Sequence, residues 1–180
     1  MRLIAIGGEP GSGKSTLVGG LIAELGESRR IRSGLIRAVV FESLKLAILG
    51  VYDDSRFPGT DRLSMAVQPE TIKFLQAMRR SNRDDWCILF EGDRLFTASF
   101  LGQARELGAD VRCLILTVSP GEQQRRFRER QSNQPEGFIR GRRTKIANIQ
   151  KVVEHELWSN ENPTEQRLNQ LKLKQLVTST

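Results

Sequence analysis

Leu3-Ile4-Ala5-Ile6 is a continuous apolar run that stops at Gly7-Gly8, the pattern of a strand buried on both faces of a parallel sheet. Leu17, Val18, Leu21, Ile22 and Leu25 then recur at helical spacing and end at Gly26, a natural residue just past a helix terminus. Between Leu35 and Tyr52, β-branched and aliphatic residues crowd together and break at Glu42-Ser43, which predicts two short strands arranged as a hairpin. Pro69 opens a helix that carries Ile72, Leu75 and Met78 on one face. Trp86 to Phe90 and Val111 to Val118 are two further apolar runs of strand length.

Ser119-Pro120-Gly121-Glu122 follows the last of these runs as a capping box: Ser119 caps, Pro120 suits the first turn and Glu122 reaches back. A helix is therefore expected from Pro120. Ile146, Ile149, Val153 and Leu157 predict another, and Pro163 with Leu168, Leu171 and Leu176 predicts a last one. Residues 131–137 form a polar stretch expected to be a loose loop. Strands alternating with helices, without internal repeats, imply one α/β domain over residues 1–180 with a mainly parallel sheet between helical layers.

The first strand and helix frame Gly8-Glu9-Pro10-Gly11-Ser12-Gly13-Lys14-Ser15, which satisfies the phosphate-loop pattern G-x-x-x-x-G-K-[ST] in the strand-loop-helix context that pattern requires. Gly8 to Thr16 are thus the candidate ATP-binding residues. Glycines let successive backbone N–H groups point at phosphates at the positive end of the helix, Lys14 supplies a charge for the outer phosphates, and the Ser15 hydroxyl suits Mg²⁺. ATP and Mg²⁺ are the expected cofactors. The alternative, a glycine-rich turn that binds nothing, is disfavoured because pattern and context agree.

A phosphate loop needs an acid at the end of a neighbouring strand, to hold hydrated Mg²⁺ through water or to take a proton. The run ending at Phe90 leads into Glu91-Gly92-Asp93-Arg94, so Glu91 and Asp93 are the main candidates; Asp53 and Asp54 are rivals, and a plain surface turn is the bland alternative. From Gly121 to Lys145 the chain holds eight Lys or Arg against Glu122, Glu129 and Glu136. That stretch reads as an Arg-rich lid over about 121–145, whose guanidinium groups stabilise a phosphoryl in transfer. Arg126 and Arg130 lie one helical turn apart and can face one ligand. For any single arginine a solvated or DNA-contacting surface remains the alternative.

Charge extends this picture. Twenty-eight Lys and Arg against 21 Asp and Glu give a net charge of +7, which favours polyanions such as nucleic acid, with a solvated basic face as the alternative. Two cysteines, Cys87 and Cys113, each inside an apolar run, read as buried thiols of a reducing compartment. No apolar segment reaches the length of a membrane span, so a soluble cytoplasmic protein with no membrane partner is expected. Nothing in the pattern fixes an oligomeric state.

With "GEPGSGKST", a strand ending in "FEGDR" and an arginine-rich helix, the chain resembles the P-loop nucleoside and nucleotide kinases, particularly the thymidylate kinase-like group. In that group an Asp-Arg pair after the central strand handles the acceptor, which here falls on Asp93 and Arg94; Leu95 departs from the aromatic or His residue usual at the next position. The span "LGVYDDSRFPGTDRLSMAVQP", Leu49 to Pro69, is similar to a narrower set, the bacteriophage kinases that phosphorylate 5-hydroxymethyluracil in DNA on the way to thymidine hypermodification. That resemblance implies DNA containing 5-hydroxymethyluracil as partner, host-cell cytoplasm as location if the chain is phage-encoded, and Asp61 and Arg62 as acceptor-reading residues beside Arg94. An exposed ion pair is the bland alternative for Asp61 and Arg62. Two other functions stay open: a kinase of free nucleosides or nucleotides, and a DNA-stimulated P-loop ATPase.

Overall fold

A computed structural model describes residues 1–53, 58–132 and 134–179. Asp54, proposed above as a rival acid, lies outside the described residues, as does part of the Leu49 to Pro69 span.

Seven strands form one sheet in the order β2-β3-β4-β5-β1-β6-β7. The strands are β1 (Arg2–Gly8), β2 (Arg29–Ser33), β3 (Ile36–Phe41), β4 (Leu46–Leu49), β5 (Cys87–Glu91), β6 (Asp110–Thr117) and β7 (Glu156–Ser159). The five from β4 to β7 are mutually parallel. An antiparallel hairpin, β2 and β3, extends the β4 edge. The helices are α1 (Lys14–Leu25), α2 (Val67–Arg80), α3 (Ala98–Glu106), α4 (Pro120–Glu129), α5 (Glu136–Val152) and α6 (Pro163–Thr178).

The three apolar runs become β1, β5 and β6 because Leu3 to Gly8, Cys87 to Glu91 and Cys113 to Leu116 are buried between two helical layers. Alternate residues of these strands feed opposite faces. One face packs Leu3, Ile88 and Phe90 against Leu75, Met78, Phe100 and Ile149 of α2, α3 and α5. The other packs Ile4, Ile6 and Leu89 against Leu17, Leu21, Leu173 and Val177 of α1 and α6. The expected three-layer α/β fold with a mainly parallel sheet is what forms. The Ser119 cap also forms, its hydroxyl accepting from the Glu122 N–H at 3.2 Å. Cys87 and Cys113 are buried free thiols, and burial pushes the Cys87 thiol up to about 11.

Several expectations fail for physical reasons. The helix inferred through Val153 and Leu157 stops at Val152: Val153 is extended, and Leu157 lies on β7, 57% exposed. A four-residue strand has too little length to show its period against an adjoining helical pattern. The α6 face read from Leu168 and Leu171 points outward, and Asn169, Leu173 and Val177 are the buried positions. The polar stretch 131–137 ends earlier than expected, since Glu136 already begins α5. Strand β2 carries little apolar signal, with three arginines in five residues, and α3, nine residues long with only Phe100, Leu101 and Ala104 buried, is too short to show a helical period. No described helix is long and apolar enough to cross a membrane.

Candidate active site

Gly8 closes β1 and Lys14 opens α1, so the glycine-rich loop sits at the carboxyl edge of the sheet where parallel strands deliver their ligands. Gly13 caps α1 with φ +95°, and a Cβ there would come within 2.4 Å of the Asn160 amide nitrogen, so only glycine fits. The Lys14 ammonium donates to the carbonyls of Gly8 (2.9 Å) and Glu9 (3.0 Å), folded over the loop it is expected to serve. The Ser12 hydroxyl is buried with no partner among the described residues. An orphan donor inside a phosphate loop fits an anion ligand, since a buried hydroxyl without a bond is costly.

Glu91 ends β5 next to β1, and β1 leads into this loop. Its carboxylate, 2% exposed, accepts from the Ser15 hydroxyl at 3.0 Å. Burial pushes its carboxyl up to about 7, against the pull of Lys14 and the Ser15 bond. A serine hydroxyl beside a carboxylate is a hard-oxygen pair suited to Mg²⁺, which keeps most of its waters and takes one or two protein oxygens. Asp93, two residues on, does not share that pocket. Its carboxylate faces α5, with Arg142 Nε at 3.1 Å and Lys145 Nζ at 3.7 Å, while Lys145 also donates to the Asp93 carbonyl at 2.9 Å. Burial draws the Lys145 ammonium down although Asp93 opposes that shift.

The segment from Pro58 to Ser64 is built onto this turn. Gly59 (φ +98°) pairs with Val51, and a Cβ on Gly59 would lie 1.9 Å from Glu91 Oε1. The chain passes directly over the buried carboxylate, which only glycine permits. The Thr60 hydroxyl donates to the Glu91 carbonyl at 2.7 Å, and Asp61 Oδ1 accepts the Asp93 N–H at 2.7 Å. Asp61 therefore orients Asp93 rather than pairing with Arg62. Arg62 Nη1 instead spans both oxygens of Asp53, at 2.5 and 2.6 Å. Arg94 Nε reaches the Leu63 carbonyl at 3.3 Å, which ties Arg94 to the same segment, and Leu95 is buried in the core. Tyr52 stands close by with its hydroxyl buried and unpartnered among the described residues; burial first, then the Glu91 and Asp61 carboxylates, hold that phenol well above its ordinary value.

The arginines of residues 121–145 divide into two sets. Arg126 is buried, donating to the carbonyls of Gly11 (3.0 Å), Asn160 (2.5 Å) and Glu161 (3.4 Å) and to Glu122 Oε1 (2.6 Å). Arg130 follows α4 and places Nη2 3.5 Å from the Thr16 hydroxyl. Both do face one cavity, of about 210 Å³, but it lies beside Gly13, Thr16 and Asn160, away from Glu91 and Asp93. The cations over the acids come from α5 instead: Arg142 and Lys145 on Asp93, and Arg143, whose guanidinium grips both oxygens of Glu9 at 2.9 and 3.0 Å. That guanidinium holds the Glu9 carboxyl below its ordinary range, and Gln123 adds a bond at 3.2 Å. Glu9 and Pro10 are thereby fastened to α4 and α5, since Gln123 also donates to the Pro10 carbonyl at 2.8 Å.

Of the residues read from sequence, the structure brings Gly8 to Thr16, Glu91, Asp93, Asp61 and Arg94 together, sets Arg126 and Arg130 on the Thr16 side, and leaves Arg62 on the surface with Asp53. Sequence reasoning missed Tyr52, Gly59, Thr60 and Asn160. Only the Pro58-Gly59 dipeptide carried a signal, as a turn.

Comparison with known proteins agrees with this architecture. The AAA domain family matches residues 3–154. No curated protein matches the chain significantly. Among solved structures, an unliganded sugar kinase from Janibacter sp. HTCC2649 aligns over 100% of this chain and 99% of its own at 16% identity, with a TM-score of 0.50. A shikimate kinase from Bacteroides thetaiotaomicron covers 98% of each chain at 14% identity, with a weaker TM-score of 0.47. At such identities the likeness is one of fold.

Proposed function

Since the chain belongs to the AAA domain family and carries a complete phosphate loop on a P-loop kinase fold, we propose that it is an ATP-dependent kinase whose acceptor is an alcohol, the hydroxymethyl group of 5-hydroxymethyluracil in DNA. The observation that carries the kinase reading is the buried Ser15–Glu91 contact at the mouth of the loop, with Asp93 set two residues further on toward the lid. The DNA acceptor is supported by the resemblance of Leu49 to Pro69 to the phage kinases and by the net charge of +7.

In this reading Lys14 releases the Gly8 and Glu9 carbonyls and turns to the outer phosphates, and the loop N–H groups hold the rest. Ser15 and Glu91 would hold Mg²⁺, which would supply positive charge to offset that of the nucleotide phosphates. The acceptor oxygen attacks the γ-phosphorus, a new O–P bond forms, the bond to the bridging oxygen breaks, and ADP leaves with the electron pair. The hydroxyl proton passes to Asp93, the carboxylate turned toward the lid, which Asp61 fixes through the backbone N–H. Arg142 and Lys145 move from Asp93 to the transferred phosphoryl, an exchange that frees the base as it stabilises the charge.

The test is transfer of label from γ-labelled ATP to 5-hydroxymethyluracil DNA, ordinary DNA or free nucleosides, followed by digestion and identification of the labelled species. Label in a 5-phosphomethyl base is expected. Label in free nucleosides alone, or phosphate release without a labelled product, would sink the DNA acceptor. Asp93→Asn should lower kcat by about 10²–10⁴ with ATP affinity retained; an unchanged kcat removes Asp93 from proton transfer.

A further inference from the structure

Strand β2 is one edge of the sheet. Its hairpin reads Arg29-Arg30-Ile31-Arg32-Ser33-Gly34-Leu35-Ile36-Arg37, four arginines and no acid in nine residues. All four arginines are exposed. Arg29 pairs with Glu42, and Arg30 Nη2 donates to the Tyr52 carbonyl at 2.9 Å. Arg32 stands directly opposite Arg37 in the antiparallel register. Like charges so placed are destabilising, and neither guanidinium bonds to another described residue.

Their location ties them to the site. The Gly50 N–H donates to the Arg37 carbonyl at 2.8 Å, so Arg37 flanks the carboxyl end of β4. Strand β4 runs parallel to β5 with Leu49 level with Phe90, which sets the following residues, Gly50 and Glu91, at the same height. The unpaired arginines thus occupy the active-site end of the sheet edge. Arg30, Arg32 and Arg37 line one groove of about 220 Å³ with Gly50, Tyr52 and Asp53, and Asp53 is the partner of Arg62 in the segment fastened to Asp93.

A charged edge strand discourages edge-to-edge pairing, but scattered charges achieve that, without two guanidinium groups facing each other across a ladder. A chain of phosphates removes the repulsion and gives each planar fork a matching anion. We propose that the β2–β3 hairpin is a docking ribbon for a polynucleotide backbone, with Arg32 and Arg37 on phosphates flanking the acceptor nucleotide. This rests on the kinase reading with a polynucleotide acceptor and names the surface that holds the polymer.

The test compares wild type, Arg32→Ala/Arg37→Ala and Arg32→Lys/Arg37→Lys by fluorescence anisotropy on a labelled 5-hydroxymethyluracil oligonucleotide and its unmodified counterpart across a salt series. Loss of two phosphate contacts lowers the slope of log affinity against log salt by about 1.4–1.8 for the alanine pair, equally on both oligonucleotides, and the lysine pair keeps most of it. In turnover, KM for DNA rises while kcat at saturating DNA and KM for ATP hold, and the thermal midpoint of the alanine pair stays level or rises as the repulsion is removed. Unchanged affinity and slope in the alanine pair overturn the proposal. So does intact DNA binding with altered self-association by light scattering, which would make this edge a contact between copies. If wild type labels only free nucleosides, the acceptor reading fails separately; the anisotropy slopes still decide the ribbon.

Discussion

Replacing Glu91 with Gln tests the electrostatics of the site without its catalysis. The Glu91 carboxyl is buried beneath Gly59 and bonded to the Ser15 hydroxyl, and desolvation pushes it from an ordinary 4.5 to about 7. In the metal-free protein the unfolded chain gives up this proton first. Stability from the protonated group is complete below pH 4.5 and is lost as pH climbs toward and through about 7. The gap of about 2.5 pH units corresponds to about 3 kcal/mol, at 1.36 kcal/mol per unit. A neutral Gln keeps an oxygen for Ser15 and lacks the titration. In EDTA, Glu91→Gln should therefore gain about 3 kcal/mol on wild type between acid and mildly alkaline pH, or roughly 6–12 °C in thermal midpoint for a chain of this size. Circular dichroism melts of both proteins across that range read the difference directly. Curves that run parallel from pH 4 to 8 refute a desolvated carboxylate at this position.

Gly59→Ala forces a Cβ to within 1.9 Å of Glu91 Oε1 at φ +98°, ψ −160°, so kcat should fall sharply and stability should drop by more than the ~1–3 kcal/mol that a non-glycine residue costs in this backbone region; denaturant melts and turnover measure both, and a loss within the backbone cost alone would mean the carboxylate moves freely. Arg126→Ala strips the Gly11, Asn160 and Glu161 carbonyls of a buried guanidinium and should cost about 3 kcal/mol or more, whereas Arg143→Ala breaks a surface pair and should cost under about 1 kcal/mol; equal losses in urea melts would contradict this division of the lid. Asp61→Asn keeps an acceptor for the Asp93 N–H, while Asp61→Ala does not, so kcat should survive in the first and fall in the second; if both fall alike, the Asp61 charge matters rather than its aim.

The donor half of the site was legible because it is local. Nine consecutive residues, Gly8 to Thr16, carry the loop, its lysine and its metal-side hydroxyl, and the strand before Glu91 announced itself by an unbroken apolar run. The same locality explains the fold: β1 from Leu3 on, β5 from Cys87 to Phe90 and β6 from Cys113 to Leu116 are buried on both faces, so those stretches carry no polar positions to mislead. What failed was non-local or edge-bound. Arg126 and Arg130 share a helical face, as their spacing said, but spacing cannot tell which end of the phosphate loop that face meets. The bland alternative, an ion pair between the neighbours Asp61 and Arg62, does not form, since tertiary placement gives Asp61 to Asp93 and Arg62 to Asp53. Strand β2 is held by backbone bonds to β3 with every side chain but that of Ile31 in solvent, and so has no hydrophobic period to read.

One connected path links the two halves. Ser15 touches Glu91, Gly59 lies over Glu91, Thr60 binds the Glu91 carbonyl, and Asp61 binds the Asp93 N–H that leads to Arg142 and Lys145. Thr60 and Asp61 bind backbone groups of the Glu91 to Asp93 turn and Gly59 is itself backbone over the carboxylate, so a shift on the nucleotide side meets few soft side chains between Ser15 and Asp93. A single substitution in the Gly59 to Asp61 segment should therefore move ATP and acceptor parameters together, in contrast to the hairpin arginines, which touch only the acceptor side. Measuring both KM values in Thr60→Val, which keeps the volume and removes the hydroxyl bonded to the Glu91 carbonyl, distinguishes the two cases. A change confined to the acceptor KM would show that donor and acceptor sites are mechanically separate, and that Glu91 is held in place by Ser15 and the sheet alone.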